Sequence, residues 1–179
     1  MGFGHLIVLE GTDYCGKTIQ QAALLARLRL EGVPAEPFAF PRRDGRIGSL
    51  IDAYLRGEMG RKEEVPVEVS ALLYALDRYD AVEAMNALRA AGTTLVLSRY
   101  WPSTVAFHTA KVPAAQRPAL RRWLRTLDER LPRADVTVFL RLSAATMRAR
   151  RAERSGGPDE HERDIAYQRR VHAIYEQMA

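Results

Sequence analysis

The sequence predicts an α/β protein in which helices cover both faces of one parallel sheet, giving three layers, α/β/α. Two observations favour this fold. Short β-type apolar runs alternate with segments of helical periodicity along most of the 179 residues, and strands that alternate with helices are joined by right-handed crossovers into a parallel sheet. The length also suits a single domain over residues 1–179.

Four runs are predicted as strands, at residues 6–9, 35–40, 94–97 and 136–140. The first is a continuous β-type run, the pattern of a strand buried on both faces, and the third and fourth are also predicted as buried strands. Leucine and alanine at helical spacing predict helices at residues 20–30, 47–55, 67–91, 117–131, 144–154 and 160–178. Gly92 is expected to cap the long third helix, and Ser-Gly-Gly-Pro at 155–158 separates the last two.

The composition narrows the class of partner. The formal net charge is +5 and the isoelectric point is about 9.6, yet no compact basic block indicates nucleic-acid binding. Arginine instead suits a phosphate-rich small molecule, because the two-pronged guanidinium group of arginine matches phosphate oxygens.

No apolar run approaches the roughly 20 residues that span a membrane. Cys15 is the single cysteine and cannot form an internal disulfide, so we expect a cytoplasmic protein.

One motif carries most of the functional prediction. Residues 11–18 match G-x-x-x-x-G-K-[ST] in full, in the order Gly11, Thr12, Asp13, Tyr14, Cys15, Gly16, Lys17 and Thr18. This is a P-loop, in which glycines let backbone N–H groups surround a phosphate at a helix N-terminus. Lys17 is expected to reach the β- and γ-phosphates of ATP and Thr18 to ligate Mg²⁺.

Asp13 lies inside this loop, where a carboxylate beside phosphate is costly unless it meets a hydroxyl, an arginine or Mg²⁺. The alternative is that Asp13 only forms the turn. The sequence leaves both interpretations open.

The wider pattern resembles the thymidylate kinase family of nucleoside monophosphate kinases. Residues 9–18 resemble that family's E-G-x-D-x-x-G-K-[ST] opening. Further segments agree in order and spacing, namely residues 40–43 with 47–48 and 54–58, L-L-Y-A-L-D-R-Y at 72–79, S-R-Y at 98–100 with Ser103 and Phe107, and D-E-H-E at 159–162 with Tyr175.

The resemblance implies an acceptor site for a deoxynucleoside monophosphate, dTMP above all. Tyr74 would stack on the base, Arg78 would donate to its carbonyls, and Phe40 would line the pocket. A core aromatic and a solvated arginine paired with Asp77 are the alternatives for Tyr74 and Arg78.

The same resemblance implies a clamp on the acceptor phosphate, formed by Arg43 and Arg99, with Ser103 in the same segment. Phe107 would lie against the sugar and disfavour a 2′-hydroxyl. Surface salt bridges explain the two arginines otherwise, and core packing explains Phe107.

On the ATP side, the resemblance implies that Arg148 stacks on adenine. Some family members carry a catalytic arginine in the P-loop, where this chain has Tyr14. The resemblance then implies a lid of about residues 148–162 that supplies Arg150, Arg151 and Arg154. The expected catalytic groups are therefore Lys17, Asp13, Arg99 and these three lid arginines.

Two departures from the family pattern stand out. Ser98 replaces the family's D-R-Y aspartate, so the expected Mg²⁺ ligands are Thr18 and Ser98, with Glu10 or Asp13 helping through water. Family members also continue after the last helix with another strand and helix. We therefore expect the sheet to lack that strand and residues 136–140 to form an uncovered edge.

These patterns predict transfer of the ATP γ-phosphate to dTMP by a homodimer, without nucleic acid or membrane partners. A kinase for another nucleotide or nucleoside is the first alternative. A nucleotide-binding homologue with weak or no turnover is the second.

Overall fold

The structure is a computed structural model that describes residues 2–61, 64–152 and 164–178. Its four strands are β1 (Leu6–Glu10), β2 (Ala35–Ala39), β3 (Thr94–Ser98) and β4 (Val136–Phe139). Within these ranges they form one parallel sheet in the order β2-β3-β1-β4. The carboxyl ends of β2, β3 and β1 therefore lie side by side, where such folds bind their ligands.

The described helices alternate with the strands. They are α1 (Lys17–Leu30), α2 (Arg46–Leu55), α3 (Val67–Ala90), α4 (Trp101–Thr109), α5 (Arg117–Asp128), α6 (Ala144–Ala152) and α7 (Ile165–Glu176), with a short 3₁₀ turn at Ala114–Gln116. None of the helices in the described ranges is both long and apolar enough to cross a membrane.

Alternate side chains of the central strands enter two separate cores. Leu6, Val8, Leu95 and Leu97 pack against α3 on one face, while Leu9 and Val96 pack against α1 on the other. This alternation follows from the two-residue period of a strand. The predicted three-layer α/β/α arrangement is confirmed.

A third core joins the helices beyond the sheet. Ala106 of α4 packs against Tyr167, Val171 and Ile174 of α7. Helix α4 also packs against α3 and α5. These helices enclose the acceptor side of the site described below.

The hydrophobic pattern does not predict α4. Its residues Ser103, Thr104, His108 and Thr109 are buried although they are polar. A helix buried on several sides lacks the apolar stripe from which periodicity is read.

The prediction that residues 136–140 form a buried strand is wrong. Val136 is 50% exposed and Val138 is 39% exposed, because β4 is the outer strand of the described sheet. The expectation of an uncovered edge at this strand is confirmed for the described residues.

Other element boundaries shift by a few residues. Helix α1 begins at Lys17 instead of residue 20, and α5 ends at Asp128 instead of residue 131. Gly92 adopts φ 84° after α3, and its N–H donates to the carbonyl of Arg89, which is the predicted glycine cap. The predicted break at 155–158 and the start of the last helix lie outside the described residues.

Candidate functional site

The loop between β1 and α1 requires glycine at two positions. Gly11 has φ 144°, and a Cβ there would lie 2.7 Å from the Cys15 Sγ and 2.7 Å from the carbonyl oxygen of Leu140. Gly16 has φ 94° immediately before α1 and is followed by helix without any side-chain cap. The first N–H groups of α1 therefore face the loop interior, as an anion site requires.

Lys17 is buried against this loop. Its Nζ donates to the carbonyl oxygens of Thr12, at 2.7 Å, and Gly11, at 3.1 Å. Burial, with a further contribution from the charge of Arg99, lowers the pKa of Lys17 to about 8. A triphosphate would compete with these carbonyls for the ammonium group and would favour its charged form.

A concave surface that we call the phosphate hollow opens beside the loop. It is lined by Asp13, Tyr14, Gly16, Lys17, Thr18, Ile19, Phe40, Ser98, Arg99 and Arg150. Arg150 of α6 reaches across it, and its Nη1 donates to the carbonyl of Tyr14 at 3.3 Å. Helix α6 thus adds a second cation to the cavity that holds Lys17.

An adjoining cleft, which we call the acceptor pocket, brings together all the residues predicted for acceptor binding. They are Asp13, Phe40, Arg43, Tyr74, Arg78, Arg99, Ser103 and Phe107. They come from the loop after β1, the segment after β2, α3, the β3–α4 connection and α4 itself. The acceptor pocket and the phosphate hollow share Asp13, Phe40 and Arg99.

Arg99 lies between these two cavities and lines both of them. Its Nη2 donates to Asp13, and its Nη1 donates to the carbonyl of Gly11 and to Ser103 Oγ, both at 3.2 Å. Its Cζ lies 4.8 Å from the Phe107 ring centre, a cation–π distance. Burial disfavours the charge of Arg99, but nearby acidic groups, led by Asp13, more than offset this and raise its pKa.

Asp13 therefore meets an arginine, one of the partners that the sequence left open. Its second oxygen lies 3.4 Å from Gln168 Nε2 of α7.

The backbone of Arg99 has φ 69°, the left-handed region that residues other than glycine seldom adopt. Such strain recurs at functional sites.

Arg78 lines the acceptor pocket, but the alternative of a solvated arginine paired with Asp77 is wrong. It is 1% exposed, and its Nη2 donates to both carboxylate oxygens of Asp128, at 2.7 and 2.9 Å. Asp77, the partner considered from sequence, instead accepts from Arg42. Arg78 is thus a buried, paired arginine at the wall of the acceptor pocket.

Glu10 does not face the phosphate hollow, so the expectation that it helps to hold Mg²⁺ through water is wrong. It is 1% exposed. Its Oε1 accepts from the N–H of Tyr100 at 2.7 Å, and its Oε2 accepts from Ser103 Oγ at 2.6 Å and Tyr175 O–H at 2.8 Å. These bonds satisfy the carboxylate inside the protein.

The hydroxyl group of Ser103 is consequently engaged by neighbouring protein groups in the wall of the pocket. Its hydroxyl is bonded to Glu10, Tyr175 and Arg99. Burial, followed by the charge of Glu10, raises the pKa of Tyr175 well above its usual value. A neutral Tyr175 therefore links α7 to the start of α4.

The other predicted acceptor residues lie at the rim and the base end. Arg43 is exposed, and its Nη1 lies 3.1 Å from Asp52 Oδ1. Tyr74 is half-buried and meets the ring of His108 edge-on at 5.4 Å. Phe40 is buried, with its ring 5.8 Å from that of Tyr100.

Several lining residues were missed by sequence reasoning. The base end also includes Tyr54, Thr104, His108, Lys111 and Tyr167. Lys111 Nζ donates to the Tyr54 hydroxyl at 2.6 Å, which joins α2 to the end of α4. Tyr54 belongs to the segment 54–58 noted in the sequence, but no motif marks the other four, which only the tertiary fold brings together.

Part of the predicted ATP side lies outside the described residues. Arg154 and residues 159–162 lie outside the described residues, as do the side chains of Arg148 and Arg151. The described ranges contain no group of three or more His, Cys, Asp or Glu side chains that could hold a metal ion. Hydroxyl oxygens are available instead, because Thr18 and Ser98 both line the phosphate hollow.

Comparisons with known proteins agree with this geometry. A family model described as thymidylate kinase matches residues 9–179. The chain is 34% identical to a thymidylate kinase of Arabidopsis thaliana over 97% of its length, but it spans only 60% of that relative. It is 34% and 33% identical to thymidylate kinases of Danio rerio and Homo sapiens, in each case spanning 76% of the relative.

A solved structure of thymidylate kinase from Candida albicans has the same fold. The TM-score is 0.82 at 25% sequence identity, and the match covers 99% of this chain and 78% of the other.

Proposed function

The chain belongs to the thymidylate kinase family, and we propose that it transfers the γ-phosphate of ATP to dTMP, giving dTDP and ADP. The single observation that carries this proposal is the junction of the two cavities. The phosphate hollow holds Lys17, the acceptor pocket holds Tyr74 and Arg78, and Asp13 and Arg99 line both. A phosphate bound at each side would meet between them.

Positioning and charge supply the chemistry. The acceptor phosphate is already a nucleophile at neutral pH, so its oxygen attacks the γ-phosphorus in line without a general base. Lys17 and Arg150 approach the transferring group from the donor side, and Arg99 approaches it from the acceptor side. Their charges stabilise its equatorial oxygens as the bond to ADP loosens.

The remaining predicted residues have supporting roles. The P-loop backbone from Gly11 to Thr18 cradles the phosphates, with Arg148 on the adenine. Arg43 and Arg99 together bind the acceptor phosphate. Phe40 and Phe107 pack against the acceptor nucleotide. Ser103 holds Arg99 in place by a hydrogen bond. Arg150, Arg151 and Arg154 belong to a lid of about residues 148–162 within a single domain.

Mg²⁺ fits the phosphate hollow through Thr18 and Ser98. Mg²⁺ in kinases takes most of its ligands from phosphates and water, so two neutral hydroxyls of one cavity are a suitable protein contribution. Held there together with ATP, Mg²⁺ would supply positive charge that offsets the negative charge developing on the transferring phosphoryl group. Ser98 brings no negative charge, and Asp13 is the carboxylate of this cavity.

A substrate panel tests the proposed function. We expect ADP release with dTMP to exceed that with UMP, CMP or thymidine by about tenfold or more in kcat/KM. CMP presents an amino group to the base-edge donor, UMP and CMP carry the 2′-hydroxyl that Phe107 disfavours, and thymidine lacks the phosphate that the arginines bind. EDTA should abolish turnover. Faster phosphorylation of UMP, CMP or thymidine would identify another kinase, and dTMP binding without dTDP would identify a homologue without turnover.

We also propose that the protein is a homodimer through α3. Val69, Leu72, Leu76 and Tyr79 are each 38–50% exposed, and their spacing places them on one side of the helix. Exposed apolar side chains arranged in a stripe mark association surfaces. The self-complementary contact of a twofold dimer buries such a stripe against its own copy.

Substituting both Leu72 and Leu76 with glutamate should break this dimer. Burying four unpaired carboxylates at a twofold contact is costly, so we expect the dimer dissociation constant to rise by about a hundredfold or more. Sedimentation velocity over a concentration series measures it. Leu30→Glu, at an 85% exposed leucine of α1, is the control, and a dimer that survives the double substitution places the contact elsewhere.

A cytoplasmic location completes the proposal. Its support is the single cysteine, which forms no internal disulfide, and the use of ATP as substrate.

A further inference from the structure

Asp128 has no role in the site described so far, yet it accepts three hydrogen bonds from Arg78, a residue of the acceptor pocket. It ends α5, is 8% exposed, and accepts from Arg78 Nε at 3.1 Å as well as from Nη2. This is a side-on, two-pronged pair, the arrangement that fixes the plane of a guanidinium group. Asp128 is not among the residues that line the pocket, so it reaches the pocket only through Arg78.

The remaining nitrogen of Arg78 is held from the opposite side. Nη1 donates to Thr104 Oγ1 of α4 at 2.7 Å, and Thr104 is 3% exposed at the pocket wall. A guanidinium group carries five N–H donors. Asp128 takes those of Nε and Nη2, and Thr104 takes one from Nη1, which leaves one Nη1–H.

The wall at this point therefore offers a donor that cannot accept, the remaining Nη1–H of Arg78. The Thr104 hydroxyl oxygen accepts from Arg78, so its own hydrogen is available to donate. Together with the remaining Nη1–H of Arg78, it suits a carbonyl oxygen on the base edge and opposes an amino group.

The Asp128–Arg78 ion pair is better explained as a contact that fixes the orientation of the Arg78 guanidinium group than as a contribution to the stability of the fold. Burial raises the pKa of Asp128, although the charge of Arg78 favours its ionised form. Buried ion pairs often contribute no more stability than apolar residues of the same volume. A fixed direction for the Arg78 donors is something that apolar residues could not supply.

We propose that Asp128 is a positioning residue that locks Arg78, and that this lock makes the enzyme prefer a base with a 4-carbonyl over a base with a 4-amino group. The inference rests on the proposed function and identifies how that site selects its substrate. Without Asp128 the guanidinium group turns about its long side chain, and its donors no longer converge with Thr104 on one oxygen.

The test uses dUMP and dCMP, which differ in the 4-substituent of the base and share the sugar and phosphate. In Asp128→Asn we expect the preference for dUMP over dCMP, in kcat/KM, to fall by about tenfold. The change should come from a higher KM for dUMP and dTMP with kcat nearly unchanged, the pattern of lost ground-state binding. A purely structural defect would weaken both nucleotides equally.

Asp135→Asn is the matched control. Asp135 pairs with Arg89 at 3.1 Å at the opposite end of the sheet, so its substitution should leave the dUMP preference intact. If Asp128→Asn does not fold by circular dichroism, Asp128→Glu replaces it. Glutamate keeps the negative charge but displaces the carboxylate by one methylene, and we expect the preference to fall there too.

Calorimetric binding of dUMP and dCMP without ATP separates the two hypotheses. A wild-type protein that prefers dUMP in binding but releases no ADP would refute the proposed kinase activity while leaving the Asp128 test valid. No preference in the wild type, or the wild-type preference in the folded Asp128 variant, would overturn the positioning role.

Discussion

Lys17→Met is expected to abolish phosphoryl transfer without unfolding the protein. Lys17 provides the cation of the phosphate hollow nearest to the loop backbone, with Nζ 2.7 Å from the Thr12 carbonyl. Removing one preorganised group that stabilises developing charge lowers kcat by about 10²–10³-fold, and the loss of phosphate binding should add to this. Coupled ADP release with dTMP and ATP measures the effect.

The same substitution should not lower the thermal unfolding midpoint. The lowered pKa of Lys17, about 8, means that burial penalises its charge in the folded state. Methionine occupies a similar volume without that charge, so the midpoint should stay the same or rise slightly. Arg27→Met, on the exposed side of the same helix, is the control, and activity within tenfold of wild type would contradict the assignment of the loop.

The fold was largely predictable because its signals are local. Apolar runs of four or five residues mark β1 and β3, and the glycine pattern at residues 11–18 marks the loop whose backbone angles only glycine tolerates well. The exposure of β4 was misjudged for a tertiary reason. Its sequence is as apolar as that of the central strands, but burial depends on what lies beyond it.

Site residues were predictable where a sequence motif follows a strand. The contacts between them were not predictable where the two residues are far apart in the sequence. Arg99 and Asp13 each belong to a recognisable segment, but their pairing joins residues 86 positions apart. Asp128 lies 50 positions from Arg78 and in no motif. A single buried carboxylate carries no sequence signal that distinguishes it from a surface one.

Glu10 also shows that a residue's position in the sequence does not determine where its side chain points. Its position after β1 and beside the loop predicts a role at the phosphates, whereas its carboxylate turns inward to the N–H of Tyr100 and to Tyr175. Tyr175 lies 165 positions away. Sequence locates such a residue along the chain but not the direction of its side chain.

Arg99→Met is expected to cause the second large loss of activity. Arg99 lines both cavities and neutralises Asp13 between them. Without it, the acceptor phosphate loses a two-pronged partner and meets an uncompensated carboxylate. We expect kcat/KM for dTMP to fall by about 10³-fold, through a higher KM and a lower kcat.

A double-variant cycle with Asp13→Asn separates these two contributions. Asparagine keeps the shape of Asp13 but removes the charge that repels the phosphate. In the double variant we therefore expect a smaller loss than the two single losses combined, with a coupling of about 1–3 kcal/mol. Glu83→Gln, at an exposed position of α3 that is not among the four residues of the proposed dimer surface, is the control. Strictly additive losses would show that Arg99 and Asp13 act independently, and that the transferring phosphate does not pass between them.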